Sequence, residues 1–271
     1  MTTIGFIGTG VMSEAIIGGM LKGGFVPEDI WGADPDANRR AYMIAKYGIH
    51  ITESNQALAA ECGVLVMAVK PQVFPDAAAS LRPALTPGHS ILSIVTGITT
   101  GQLETELRCA ELGRQACLPV IRAVPNTPAA VQAGVTCLCP GKSAGEADMD
   151  LAKEIFRTVG AVADAAEDYM DVATGVAGCG PAYIYMLIEA LADGGVMMGM
   201  PRKLSLQLAA ETVKGAAAMV LAGDAHPETL KDEVCTPGGA TIAGVYALEK
   251  AGLRGAVMEA VRVGVEKCKR M

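Results

Sequence analysis

The run Ile4-Gly5-Phe6-Ile7-Gly8-Thr9-Gly10-Val11-Met12-Ser13 carries the clearest chemistry in this sequence. It fits G-x-G-x-x-(G/A), with serine at the third glycine position. Gly8 permits a sharp turn. Gly10 leaves the backbone bare, so N–H groups at a helix start can reach a pyrophosphate. Ser13 is small enough to keep that helix close to its strand. Asp34 closes a second apolar run, where a carboxylate accepts the ribose hydroxyls of NAD and repels a 2′-phosphate. On these grounds the sequence leans to NAD(H). Arg39 and Arg40 follow closely and read as a solvated helix face.

Four further segments carry groups suited to a ligand. Val66-Met67-Ala68-Val69-Lys70-Pro71 ends a buried strand in a lysine at the carboxyl edge of a sheet, where open α/β sheets bind ligands. Val124-Pro125-Asn126-Thr127-Pro128 is a stiff loop that would hold the Asn126 amide at the same edge. Thr174 to Tyr183 holds three glycines before Pro181 and predicts an exposed helix N-terminus. Cys179 within it has no nearby basic residue and reads as a packing group or weak donor. Thr236-Pro237-Gly238-Gly239-Ala240-Thr241 is a second glycine-rich helix start, suited to a small anion such as a carboxylate.

The elements that must position these groups fall into two patterns. Thr3–Ile7, Asp29–Ala33, Val64–Val69, Ser90–Val95 and Val120–Val124 are short apolar runs, as parallel strands covered on both faces require. Val11–Lys22, Asp36–Tyr47, Ser54–Ala60, Phe74–Leu81, Thr100–Leu107 and Gly145–Val159 read as helices between or after them. That alternation predicts a Rossmann-type doubly wound α/β sheet over residues 1–163. From residue 164 to 271 the strand signal stops. Pro181–Met198, Arg202–Leu221, Pro227–Val234, Ala240–Lys250 and Arg254–Lys269 all follow a helical period, which predicts an all-α second domain. Several of these helices are apolar nearly all round, so a helical dimer interface is expected.

Composition narrows the function. The chain has 271 residues, is 51% hydrophobic and carries a net charge of −7. An acidic surface with 4% aromatics is poorly suited to nucleic acid or an anionic membrane. The apolar stretch Ala182–Met200 contains Glu189 and Asp193, which predicts a buried helix of a soluble protein. The N-terminal run is too short for a signal peptide or membrane span. The eight cysteines are scattered, so free buried thiols in a reducing cytoplasm are expected. In a strand Cys137 and Cys139 would point to one face, but they lack a second ligand pair for zinc. His50, His89 and His226 stand far apart, which disfavours a histidine triad or metal site.

Taken together, the motifs resemble the pyrroline-5-carboxylate reductase family along essentially the whole chain. The resemblance rests on Gly5–Gly10, Ala68-Val69-Lys70-Pro71, Pro125-Asn126-Thr127-Pro128, Gly178–Tyr183, Glu189–Val196, Leu230-Lys231-Asp232 and Thr236–Ile242. The last blocks are its most specific part. It implies transfer of hydride from NAD(P)H to the C=N carbon of 1-pyrroline-5-carboxylate, giving L-proline. It places the cofactor on Ile7, Gly8, Thr9, Gly10, Val11, Met12, Asp34, Asn55, Ala68, Val69, Lys70, Val95, Thr96, Gly97 and Asn126. It places the substrate on Glu167, Thr236, Gly238, Gly239, Ala240 and Thr241, where the sheet's crevice meets a helical domain, usually that of a second subunit. Thr241 and Lys70 are the expected catalytic residues, Thr241 as partner of the ring nitrogen. The family implies a homodimer, with dimers joined into larger rings such as a decamer. Three positions depart from its pattern: Cys179 stands for the common serine, Glu233 for an asparagine, and Asp34 for a small hydroxyl residue seen in many NADPH users. The other readings are a dehydrogenase of the same two-domain plan acting on a 3-hydroxy acid or another imine, and a non-catalytic dinucleotide sensor.

Overall fold

The computed structural model describes residues 2–108 and 118–270. Its sheet has eight strands among the described residues, in the order β3-β2-β1-β4-β5-β6-β7-β8. They are β1 Ile4–Ile7, β2 Ile30–Ala33, β3 His50–Thr52, β4 Val64–Met67, β5 Ser90–Ser93, β6 Val120–Val124, β7 Gly134–Pro140 and β8 Gly160–Asp164. All pairings are parallel except β6 with β7. Strand order reverses between β1 and β4, so both carboxyl ends face one crevice.

Helices α1 Val11–Lys22, α2 Ala37–Tyr47, α3 Asn55–Glu61, α4 Phe74–Leu81, α5 Thr100–Glu106 and α6 Glu146–Arg157 cover the two faces. Side chains alternate across the pleat. Ile4, Phe6, Val64 and Val66 pack with Ile16, Ile17 and Met20 of α1 and Phe156 of α6. Ile7, Leu65 and Met67 pack on the opposite side with Leu58 of α3, Phe74 of α4 and Leu103 of α5. The doubly wound expectation holds, but β3, β7 and β8 add to the five expected strands. β3 has only three residues. β7 runs antiparallel because the short connection from β6 leaves no length for a crossover.

The remaining helices are α7 Glu167–Ala173, α8 Gly180–Met197, α9 Arg202–Ala222, α10 Pro227–Val234, α11 Ala240–Lys250 and α12 Leu253–Cys268. Packing divides the chain into Met1–Cys179 with Gly264–Met271, and Gly180–Val263. The division thus falls after Cys179, whereas the change in sequence pattern falls near residue 164. The reason is Arg122. It lies in the middle of β6 with its side chain 1% exposed. Its guanidinium pairs with Glu167 and, at 2.7 Å, with Asp171, both on α7. Met170 of the same helix packs on Val124 and Cys139. Charge and apolar contact together fix α7 to the sheet.

Two sequence expectations are corrected here. Thr174–Gly178 forms a π-helical turn joining α7 to α8, so the glycine run opens no free helix N-terminus at Pro181. Ala182–Met200 is not buried within the single chain: Ala192 is the buried residue of α8, while Tyr185, Met186 and Leu191 are exposed. An apolar helix of this kind needs a cover from outside the chain.

Removing one partner of a buried ion pair costs about 3–5 kcal/mol. Arg122→Met is therefore expected to lower unfolding stability by about 3 kcal/mol, read from urea denaturation. Unchanged stability would remove Arg122 as the tie between β6 and α7.

Candidate active site

The glycine loop leaves β1 at the point where strand order reverses. Gly8 has φ +88°, and a methyl there would stand 3.0 Å from the Ala68 carbonyl. Its N–H donates to the Ala33 carbonyl at 2.8 Å, while the Ala68 N–H donates to Ile7 at 2.9 Å. The loop is thus laid between β2 and β4. Ser13 donates its hydroxyl to the Gly8 carbonyl at 2.7 Å. Thr9 is fully buried, and its N–H and hydroxyl both donate to Asp34 Oδ2 at 3.0 Å. Asp34 Oδ1 accepts the Asp36 N–H at 3.0 Å. So Asp34 acts first as a clamp on the loop, and its position at the end of β2 sets that role.

Gly10 caps α1 with no side-chain hydrogen bond, and no atom lies within 4 Å of where its Cβ would stand. A bare backbone, open space and an uncapped helix start fit the pyrophosphate of a dinucleotide. Val11 is highly exposed beside it. Ile7 is buried in the strand, and Met12 lies half-buried in the first turn.

Ala68, Val69 and Lys70 continue from β4 at the carboxyl edge, with Lys70 exposed. Val95 is buried and Gly97 takes φ +76° in the turn after β5, with Thr96 between them. Asn55 donates to Ser80 Oγ at 2.8 Å and lines an open pocket of about 520 Å³ with Pro35, Glu53, Ser54, Gln56 and Ser80. That pocket adjoins Asp34 through Pro35, a place suited to the far end of a dinucleotide. Asn126 is largely spent inside the fold: its amide donates to the Ala177 carbonyl at 3.1 Å, and its oxygen accepts the Val135 N–H at 2.9 Å.

Arg39 and Arg40 do not form a solvated face. Arg39 donates to the carbonyls of Thr9 and Gly10 and pairs with Glu14. Arg40 donates to the carbonyls of Asp34 and Pro35, both at 2.9 Å. Backbone oxygens exposed by the glycine loop and the turn after β2 draw both guanidinium groups inward.

Glu167 stands at the start of α7 and is committed on both oxygens. Oε2 accepts the Thr100 N–H at 3.0 Å and its hydroxyl at 2.6 Å, and Oε1 faces Arg122. Burial pushes its pKa up, but the Thr100 donors and Arg122 outweigh that and hold it below the ordinary 4.5. Cys139 lies 3.9 Å from the same carboxylate, and burial pushes its thiol up to about 11. Thr100 and Arg122 escaped the sequence reading. The available signal was one charged residue inside the apolar strand Val-Ile-Arg-Ala-Val.

In the second compact unit, Thr236, Gly238, Ala240 and Thr241 are exposed. The Gly239 N–H closes the turn onto the Thr236 carbonyl at 3.0 Å, and Gly239 begins α11 with no side-chain cap. Thr241 sits in the first turn of that helix. The first set of expected site residues thus gathers at the carboxyl edge of the sheet, apart from the Asn126 amide, and Thr236, Gly238, Gly239, Ala240 and Thr241 gather at one helix start, whereas Glu167 stands at the start of α7 in the first unit.

The histidines serve structure. His89 contacts the Thr86 N–H and the Ala59 carbonyl, His50 stacks on Trp31 at 4.5 Å, and His226 caps α10. Six described cysteines are free thiols, of which Cys137, Cys179 and Cys235 are half-buried rather than buried. Cys109 and Cys117 lie outside the described residues.

Residues 167–271 match the family model for pyrroline-5-carboxylate reductase dimerisation, and residues 3–97 match that for NADP oxidoreductase, coenzyme F420-dependent. The pyrroline-5-carboxylate reductase of Pisum sativum is 40% identical over 270 residues, covering 99% of this chain and 96% of its own. The chain belongs to the pyrroline-5-carboxylate reductase family. The reductase of Escherichia coli is 39% identical, covering 99% of this chain and 97% of its own. The structure of the Plasmodium falciparum pyrroline carboxylate reductase with NADP bound matches with a TM-score of 0.88 at 32% identity, over 99% of this chain and 97% of that one. Family membership makes this chain an NAD(P)H-dependent oxidoreductase that forms homo-oligomers. The dimerisation match also covers α8 and α9, whose helical runs are long and apolar enough by length and composition to cross a membrane.

Gly10→Ala meets no protein atom and keeps an ordinary φ of −64°. It is expected to fold with unchanged Tm while weakening NAD(P)H binding about tenfold or more, measured by calorimetric titration. Glu167 has a lowered folded pKa, so its contribution to stability is present above the unfolded pKa and is lost as pH falls through the folded one. The Tm gap between the wild type and Glu167→Gln should therefore shrink between about pH 6 and about pH 3.

Proposed function

We propose that this chain reduces 1-pyrroline-5-carboxylate to L-proline with NAD(P)H, the last step of proline biosynthesis. The observation that carries this reading is the pair of glycine-led helix starts, α1 after β1 and α11 after the Thr236–Gly239 turn, whose caps lack the carboxylate that takes the Gly145 N–H at the start of α6. The first suits a pyrophosphate and the second a carboxylate. A protonated imine is already electrophilic, so the residues must position, anchor and exchange one proton. The N–H groups of Gly10, Val11 and Met12 hold the pyrophosphate. Asn55 lines the place of the adenosine end. Ala68 to Lys70 and Val95 to Gly97 bound the crevice, with Lys70 as a local cation. Bound NAD(P)H supplies the hydride. Gly238, Gly239 and Ala240 hold the substrate carboxylate, and the Thr241 hydroxyl bonds the ring nitrogen and relays its proton.

We infer a preference for NADH. Asp34 places a carboxylate at the end of β2, and Arg39 and Arg40 are already committed to carbonyls and to Glu14 and Glu53. No guanidinium there is left to meet a 2′-phosphate without giving up a partner. The working assembly is a homodimer, and its decamer is the proposed larger form. The free thiols of the described cysteines support a reducing cytoplasm as the site of action.

Steady-state turnover with 1-pyrroline-5-carboxylate tests the reading, and absence of proline with either cofactor would contradict it. Thr241→Ala is expected to lower kcat/KM about a hundredfold, and full activity would remove the proton role. Asp34→Ser should shift the NADPH-to-NADH ratio of kcat/KM upward by about tenfold.

A further inference from the structure

We propose that Arg39, anchored by Glu14, is a positioning residue that aims the Gly10 and Val11 N–H groups at the dinucleotide. The inference rests on the dinucleotide reading above and adds a residue outside the glycine loop to it.

A peptide group is planar and trans, so its C=O and N–H point in opposite directions. Fixing a carbonyl on one side therefore fixes the next N–H on the other. Arg39 Nε donates to the Thr9 carbonyl at 2.5 Å, and Nη2 donates to the Gly10 carbonyl at 3.2 Å. The partners of those carbonyls within the same two peptides are the N–H groups of Gly10 and Val11. Arg39 approaches from α2, so both N–H groups are turned away from α2. The preceding peptide is held independently, since Asp34 takes the Thr9 N–H and Ser13 donates to the Gly8 carbonyl. Three successive peptides are thus set before any ligand arrives. The Gly10 carbonyl also accepts the Glu14 N–H at 2.9 Å, the first bond of α1, so the Thr9–Gly10 peptide is the one that depends most on Arg39.

Glu14 makes the hold rigid. Its Oε2 accepts from Arg39 Nη2 at 2.7 Å. Its Oε1 accepts from Lys46 Nζ and Tyr42 Oη, both at 2.8 Å, and from Tyr47 Oη at 3.1 Å. The Arg39 guanidinium also lies 5.0 Å over the Tyr42 ring. The Arg39 and Glu14 side chains are only 22% and 18% exposed, so water competes weakly for these bonds. Lysine could not replace this fork, because one ammonium lacks the planar pair of donors.

A simple strut between α1 and α2 would use the same ion pair, so the test must separate the two. The full chain carries a single tryptophan, Trp31, whose quenching reports NADH binding without substrate. Arg39→Met should raise the NADH Kd about tenfold, with kcat at saturating cofactor within about twofold of wild type. Arg39→Lys should recover part of the affinity through a single bond to the Thr9 carbonyl. Lys46→Met removes a partner of Glu14 without touching the loop, and should leave Kd within about twofold. If Arg39→Met fails to fold, Glu14→Gln provides the same reading, with Kd raised about threefold in a protein that is less stable but still folded at the assay temperature. Wild-type Kd in Arg39→Met, or equal weakening by Lys46→Met, would overturn the proposal. A wild-type chain that binds neither NADH nor NADPH would instead overturn the dinucleotide reading itself.

Discussion

A charged group in the middle of a core strand is the constraint on which the first unit's outer architecture depends. Arg122 lies inside β6 with its side chain almost wholly buried. Left alone it would be very costly, since a cation in that environment has lost its water. Glu167 and Asp171 answer it from α7. Their spacing of one helical turn puts both carboxylates on the same face. Thr100, at the start of α5, takes the remaining lone pairs of Glu167. One guanidinium thereby joins β6, α5 and α7. The π-helical turn that follows α7 is latched in addition by Asn126, which reaches the Ala177 carbonyl. The place where the chain leaves the first compact unit is set by these polar bonds as much as by apolar packing.

The second recurring theme is how an acidic chain handles anions. Its net charge of −7 gives no general attraction for phosphate or carboxylate. What the fold offers the anions proposed for it is backbone dipoles. The starts of α1 and α11 are led by glycine with no side-chain cap, unlike that of α6, where Asp148 takes the Gly145 N–H, and the loop before α1 is held by groups outside it. Asp34, Ser13 and Arg39 each bond a backbone group of that loop. Preorganised N–H groups bind an anion without first having to be ordered. Lys70 adds a local positive charge at the same edge, exposed rather than committed to the core.

Much of this was legible in the sequence, for identifiable reasons. Phe74–Leu81, Pro227–Val234 and Ala240–Lys250 match the observed helices residue for residue. Each starts at or near a proline or follows a glycine pair, where local chemistry fixes the boundary. The glycine loop was legible because its strand and helix flank it in the expected order. β7 and β8 were not, because Gly-Val-Thr-Cys-Leu-Cys-Pro and Gly-Ala-Val-Ala-Asp lack the bulky alternation that marks a strand. The burial of α8 was misjudged because composition shows that a helix needs a cover, not which chain supplies it. Arg39, Arg122 and Thr100 were missed for one shared reason. Their partners lie far along the chain, and only the fold brings them together. For Asp34 the type of residue was plain but its first duty, clamping Thr9, depends on the loop's path.

The central claim is that this chain delivers a hydride to an imine carbon across the ring nitrogen from the carbon that bears a held carboxylate. The most direct measurement uses NADH or NADPH carrying deuterium at both C4 positions of the nicotinamide, with 1-pyrroline-5-carboxylate as substrate, and mass spectrometry of the product. The expected result is L-proline carrying a single deuterium on C5, the former imine carbon. Labelled hydroxy acid, proline without deuterium, or no labelled product with either cofactor would contradict it.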